Sequence, residues 1–249
     1  DIKNMETGKL YVYDKRAGKM NYINADDVVD LEIVKKSSME AIKLEEIRNT
    51  VIETAKQQNL ISEHTNILVS TTPVNDIDAN GKKIVNYNVS FTYEVDSMYS
   101  FKEDFPSGRY KTEMSNAAIS TLKIIKQAFE TDFAEYIKAG KKVKINITGT
   151  TDSSPVNKTI RYAGEYGDNL SYPVYQGKEL QTVEVSKRSG INSNEQLALL
   201  RALGVQNYID NNISLRDMNM EYIYNMVIAK EKGSQFRRIS VVFSFIDAF

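Results

Sequence analysis

Two side chains in this sequence are of the types that grip an ammonium and a carboxylate held close together. Asp152 ends the stretch Ile147-Thr148-Gly149-Thr150-Thr151-Asp152, and Arg201 lies in Asn194-Glu-Gln-Leu197-Ala-Leu-Leu-Arg201-Ala202-Leu-Gly-Val205. A carboxylate takes an ammonium. A guanidinium takes a carboxylate through two parallel hydrogen bonds, which a lysine matches less well. Asn194, Leu197 and Arg201 share one helix face by their spacing, and free N–H groups at that helix's start would favour the carboxylate. Each residue alone also has an ordinary reading. Asp152 could cap a turn in Thr-Thr-Asp-Ser-Ser-Pro, and Arg201 could be a solvated helix residue paired with a nearby acid.

Other chemistries have less to work with. There is no cysteine, which excludes disulfides, thiolate catalysis and cysteine-based zinc sites. The single histidine, His64, excludes a multi-histidine metal site and reads as a surface or helix-end residue. Asp76, Asp78, Asn80 and Gly81 imitate the opening of a calcium loop, but the twelfth position is Tyr87 rather than an acid. An acid/base pair of Asp152 with Glu165 or Asp168 is conceivable, yet nothing fixes the separation such a pair needs. The chain reads as not an enzyme, with no cofactor.

The elements that would position these residues follow from periodicity. Residues 37–58 fit a helix, with Ser37 and Glu40 as a capping box and Leu44, Ile47, Val51 and Ala55 as its apolar stripe. Residues 66–74 and 84–95 read as strands joined at Asn80-Gly81, a strong hairpin signal. Residues 114–139 fit an amphipathic helix built on Ile119, Leu122, Ile125, Ala128 or Phe129, and Phe133, with Gly140 as its cap. Val143, Ile145 and Ile147 alternate with Lys144, Asn146 and Thr148, the pattern of a half-buried strand. A second helix spans 194–211, with Ala198, Ala202, Val205 and Ile209 on its core side. The last strand carries Ile239, Val241, Phe243 and Phe245. Near the start, Tyr11 and Tyr13 would share a strand face, and Ala17-Gly18 could turn the chain. The order strand, helix, strand, helix, strand, strand predicts an α+β protein, a two-layer α/β sandwich with helices on one sheet face.

Bulk numbers agree with a folded protein. The 249 residues are 41 % hydrophobic and 26 % charged, and 32 basic residues against 33 acidic ones give a net charge of −1. No clustered excess of lysine and arginine supports a nucleic-acid or anionic-membrane surface. No run of 18 apolar residues and no signal-peptide pattern is present. The abrupt opening Asp1-Ile-Lys-Asn fits a chain cut after a removed signal or anchor.

Three pieces resemble the OmpA-like peptidoglycan-binding family, which includes outer-membrane anchors, peptidoglycan-associated lipoproteins and flagellar stator subunits. Ile147 to Asp152 is similar to a strand ending in G-x-T-D. Asn194 to Val205 is similar to N-x-x-L-S-x-x-R-A-x-x-V. Arg237-Arg238-Ile239-Ser240-Val241 is similar to a terminal R-R-V-E-I. Phe105-Pro-Ser-Gly108 is a weaker fourth match, to F-x-x-G. The match covers roughly 87–249.

The resemblance implies non-covalent binding of peptidoglycan through the diaminopimelate of its peptide stem, in the periplasm, with Asp152, Thr151, Asn194, Leu197, Arg201 and Arg237 as ligand-binding residues. It implies an OmpA-like domain over 63–249, with an N-terminal α/β extension carrying one helix over 1–62. A membrane anchor outside this chain and a homodimer are left open.

The chain departs from the pattern in several places. The histidine common in G-H-T-D is Thr150, and the serine after the leucine is Ala198. Residues 153–193 stand where the family usually has a short loop. A module that keeps the fold but has lost or changed its ligand is the alternative. That inserted segment is rich in Tyr, Val, Leu and Ile, so an ordered flap beside the site is expected. Tyr172 to Tyr175 could pair with Leu180 to Val185 as a hairpin turning near Gln176-Gly177. Its tyrosines could stack on ligand, and Arg161, Glu165 and Asp168 could add polar contacts. A decoration that only extends the sheet is the other reading of this segment.

Overall fold

The computed structural model describes residues 2–6, 9–14, 19–23, 42–77, 80–134, 142–214 and 218–246. Ser37 and Glu40, Ala17-Gly18, Asp78 and Gly140 lie outside the described residues, and with them the capping box, the first turn, part of the calcium-like loop and the glycine cap.

Near the start, β1 (Ile2–Glu6), β2 (Lys9–Asp14) and β3 (Lys19–Ile23) form a three-stranded antiparallel sheet. Helix α1 follows over 42–57. Its Leu44, Val51 and Ala55 join the main core, as the stripe requires, and Arg48 donates to the Val69 carbonyl at 3.4 Å.

The main sheet has seven strands. They are β4 (Thr65–Ile77), β5 (Lys83–Val95), β6 (Lys142–Thr151), β7 (Asn169–Gln176), β8 (Glu179–Ser186), β9 (Asn219–Ile228) and β10 (Ile239–Ile246), in the order β4-β5-β10-β6-β9-β7-β8. The sheet is mixed. Strands β6 and β9 run parallel, as do β7 and β9, and the remaining pairs are antiparallel. The β4–β5 hairpin turns through Asn80-Gly81, where Gly81 has φ 79° and meets the demand for positive φ at no steric cost.

Helices α3 (Asn116–Glu130) and α4 (Asn194–Asn212) connect these strands, after a short helix α2 (Ser100–Glu103). Alternation sets the sheet's two faces. Val143, Ile145 and Ile147 on β6, Val241, Phe243 and Phe245 on β10, and Val89 and Phe91 on β5 are all buried in the core with both helices. Lys144, Asn146 and Thr148 point the other way and are half-exposed. From β5 onward the elements run β, α, β, α, β, β, as expected, with the hairpin β7–β8 added between β6 and α4. The molecule is therefore a mixed α+β structure.

Helix α3 ends at Glu130, earlier than the sequence predicts. Thr131 Oγ1 bonds the Gln127 carbonyl at 2.8 Å, its backbone leaves helical angles, and Phe133 N reaches back to Ala128 O at 2.8 Å. A threonine hydroxyl competing for the helix's own carbonyls favours such an end. Leu122, Ile125, Ala128, Phe129 and Phe133 are buried as the spacing predicts, while Ile119 is half-exposed and the helix boundary falls earlier.

Candidate functional site

The end of β6, the start of α4, the loop after β9 and the loop before α3 converge on one cavity of about 180 Å³. Its wall includes Asp152, Thr151, Asn194, Leu197, Arg201 and Arg237. All six residues singled out in the sequence are thus brought together. Binding pockets for whole drug-sized ligands run roughly 300–1,000 Å³, so this one suits the end group of a larger molecule.

Asp152 follows β6 directly and is 5 % exposed. Its Oδ2 accepts from Ser154 Oγ at 2.8 Å and from Gly233 N at 3.1 Å. Asn194 braces the same turn, its side-chain amide donating to the carbonyls of Asp152 (3.1 Å) and Ser154 (3.0 Å). The turn reading of Asp152 is therefore partly right, since it does order Thr-Thr-Asp-Ser-Ser, and it does so while facing the cavity. At the start of α4, Ser193 caps the helix by accepting from Gln196 N, and the Gln196 side chain answers in a full capping box. That N–H is therefore spent within the helix and is not free for a ligand.

Arg201 is not a solvated helix residue. It has no exposed surface. Its Nε and Nη2 donate to the Arg109 carbonyl at 3.1 and 2.9 Å, and its Nη1 donates to the Thr150 carbonyl at 2.6 Å. Its guanidinium lies 4.8 Å from the Phe105 ring centroid, a cation–π arrangement. No carboxylate makes an ion pair with it among the described residues. Burial pushes its pKa down to about 9. The nearby Arg237 adds to that fall, while Tyr93, Asp152 and Asp104 oppose it. A cation held this way is charged at neutral pH and short of a counter-ion.

Two further groups on the wall lack partners. Thr151 Oγ1 and Arg237 Nε are buried without a hydrogen bond. Arg238, next in sequence, turns away, donating to the Tyr93 carbonyl at 3.1 Å with its guanidinium 5.6 Å from that ring.

Gly149 explains the first motif's glycine in packing terms. A Cβ there would fall 1.9 Å from the Ala198 carbonyl oxygen, so only glycine lets α4 lie this close over β6 and hold Arg201 beside Asp152. The weak fourth match also belongs to the site. Phe105 is the platform under Arg201, and Ser107 and Gly108 line the cavity. Arg109 contributes only its carbonyl, a role that no side-chain motif signals.

Residues 153–193 are ordered, and their first part is a cavity wall, with Ser154, Val156, Asn157, Lys158 and Ile160 lining it. The hairpin appears as expected, Tyr172 opposite Val183 and Tyr175 opposite Leu180, and it extends the sheet beyond β9. The tyrosines do not line the cavity. Tyr162 is buried, donating to the Gly167 carbonyl and accepting from Tyr166 N, both at 3.0 Å. Tyr172 packs edge-on against Tyr224.

Glu165 is taken by Tyr110 OH and by Lys111 Nζ at 2.8 Å. Although burial works against its charge, the Lys111 hydrogen bond helps hold its pKa below the usual carboxylate range. Asp168 pairs with Lys187 at 2.6 Å. Neither acid, nor Arg161, lines the cavity with Asp152. Glu165 ties the insertion to the core through Tyr110 and Lys111, and the Asp168–Lys187 pair lies within the insertion. His64 is half-buried, its ring stacked on Tyr99 at 3.4 Å.

No protein-family model matches the chain, and no curated protein matches it either.

Proposed function

We propose that this chain is a non-enzymatic, OmpA-like module that binds the diaminopimelate stem of peptidoglycan and so holds a cell-envelope protein to the wall in the periplasm. The observation that carries this reading is the shared cavity of Asp152 and Arg201, which lie 49 positions apart in sequence. The acid suits an ammonium. The uncompensated guanidinium suits a carboxylate, since a buried charge without a partner is costly and a ligand that supplies one is favoured. The element order from β5 to β10 and the place of each motif at the cavity agree with the resemblance. Pull-down with purified peptidoglycan sacculi tests it. The parent protein should be retained, and absence of retention would refute the reading.

One observation favours the alternative, a fold-keeping module without this ligand. Arg201 spends its three nitrogens on backbone carbonyls of Arg109 and Thr150, so it would brace the fold even with no ligand at all. Under that alternative the sacculi retain neither the parent nor its variants.

A further inference from the structure

The cavity carries more positive than negative side chains. Arg201, Arg237 and Lys158 face it, against Asp152 alone. Among the described residues none of these three cations has an ion pair. Arg237 Nε is buried without a partner, and Arg237 is close enough to Arg201 to disfavour its charge. Thr151, 1 % exposed, keeps an unused hydroxyl oxygen on the same wall. Asp152 and Asp104 act on Arg201, and Asp104 on Arg237, while Lys158 is exposed at the cavity's edge. The wall itself still carries more positive than negative charge, and an anionic occupant is stabilised there.

We propose that the site takes a stem bearing a further free carboxylate beside its zwitterionic end, read by Arg237 and Lys158. The inference rests on the peptidoglycan reading and adds a specificity to it. An ammonium with its neighbouring carboxylate balances Asp152 and Arg201 and leaves two cations over. A second carboxylate on the same stem offsets them, and amidation of the stem removes it. Lys158 belongs to the 153–193 segment, so the insertion becomes part of recognition through this residue rather than through its tyrosines.

Two N-acetylated synthetic tripeptides, Ala-γ-D-Glu-meso-diaminopimelate, test this in the full chain by titration calorimetry. One keeps all its carboxylates. The other is amidated at the two carboxylates outside the zwitterionic end. The free-acid probe should bind about tenfold tighter or more at low salt, as loss of charged hydrogen-bond partners implies. The ratio should shrink in R237Q and K158Q and in raised salt. Equal affinity of the parent protein for both probes overturns the inference and leaves the zwitterion site standing. Binding of neither probe overturns both.

Discussion

Asp152 and Arg201 face the same cavity yet share no hydrogen bond. Asp152 is held by Ser154 and Gly233, and Arg201 by the carbonyls of Arg109 and Thr150. Each charge makes its hydrogen bonds with neutral groups, and Asp152 favours the charge of Arg201 without bonding to it. On the proposed reading this pre-organises the site, because neither charge must be pulled from a hydrogen-bonded partner before a ligand enters.

The fork geometry of Arg201 gives the first prediction. In R201K the side chain stays cationic but loses the bidentate fork and most of the three carbonyl bonds. The Thr150 carbonyl keeps the Arg238 N–H, but leaving the Arg109 carbonyl short of donors should cost about 1–3 kcal/mol of stability. Retention on sacculi should fall with it, by roughly tenfold or more where the protein remains folded. Chemical denaturation and sacculus binding read the two effects separately. Unchanged sacculus binding by the folded variant would argue against the site.

Gly149 gives the second. A methyl group 1.9 Å from the Ala198 carbonyl must push α4 off β6. G149A should lose about 1–3 kcal/mol or more by overpacking, seen as a lower urea midpoint. A midpoint equal to the parent's would show that α4 can shift freely.

Much of this arrangement was legible in the sequence, and the limits have physical causes. The alternation of Val143, Ile145 and Ile147 and the stripe Ala198, Ala202, Val205 and Ile209 are local patterns, and all these residues are buried. The final pair of strands was expected, but only β10 was given bounds; β9 alternates Met220, Tyr222, Tyr224, Met226 and Ile228 with a mixed face of Asn219, Glu221, Ile223, Asn225 and Val227, a strand signal that was present but missed. Residues Asp152, Asn194, Leu197 and Arg201 showed through motif spacing. Phe105 showed only as the weak fourth match, without its role under Arg201, and the Arg109 carbonyl and the Lys158 wall did not show, because they meet the site through long-range contacts. The Arg201–Arg109 bond spans 92 positions, and no periodicity encodes such a contact.

Asp104 gives a third prediction, in pH. It has no exposed surface and accepts from Ser100 Oγ. Burial raises its pKa above the usual carboxylate range, against the opposing effects of Ser100, Arg238, Tyr93 and Arg237. A raised folded-state value means that the stability Asp104 contributes is present below its unfolded pKa and is lost as pH rises through the folded one. D104N cannot ionise. The stability difference between D104N and the parent should therefore move in favour of the variant as pH rises from about 4 toward neutrality. Denaturant midpoints at both ends of that range check it, and a difference independent of pH would contradict the assignment.

The inserted segment gives a fourth. Replacing residues 156–190 with a short Gly/Ser linker removes the cavity wall around Lys158 and strips β7 from β9, uncovering Tyr224 and Met226. It also breaks the Glu165 tie to Tyr110 and Lys111. The shortened protein should be less stable and bind sacculi more weakly. Binding equal to the parent's in a folded variant would reduce the segment to a decoration of the sheet.

The central claim is tested most directly by titrating meso-diaminopimelate into the parent protein and into D152A, with thermal unfolding run on both. The account predicts saturable binding by the parent, with affinity falling about tenfold or more in a D152A that still folds cooperatively, because the ammonium loses a charged partner worth roughly 1.5–3 kcal/mol. No saturable binding by the parent, or equal affinity in a folded D152A, would contradict it.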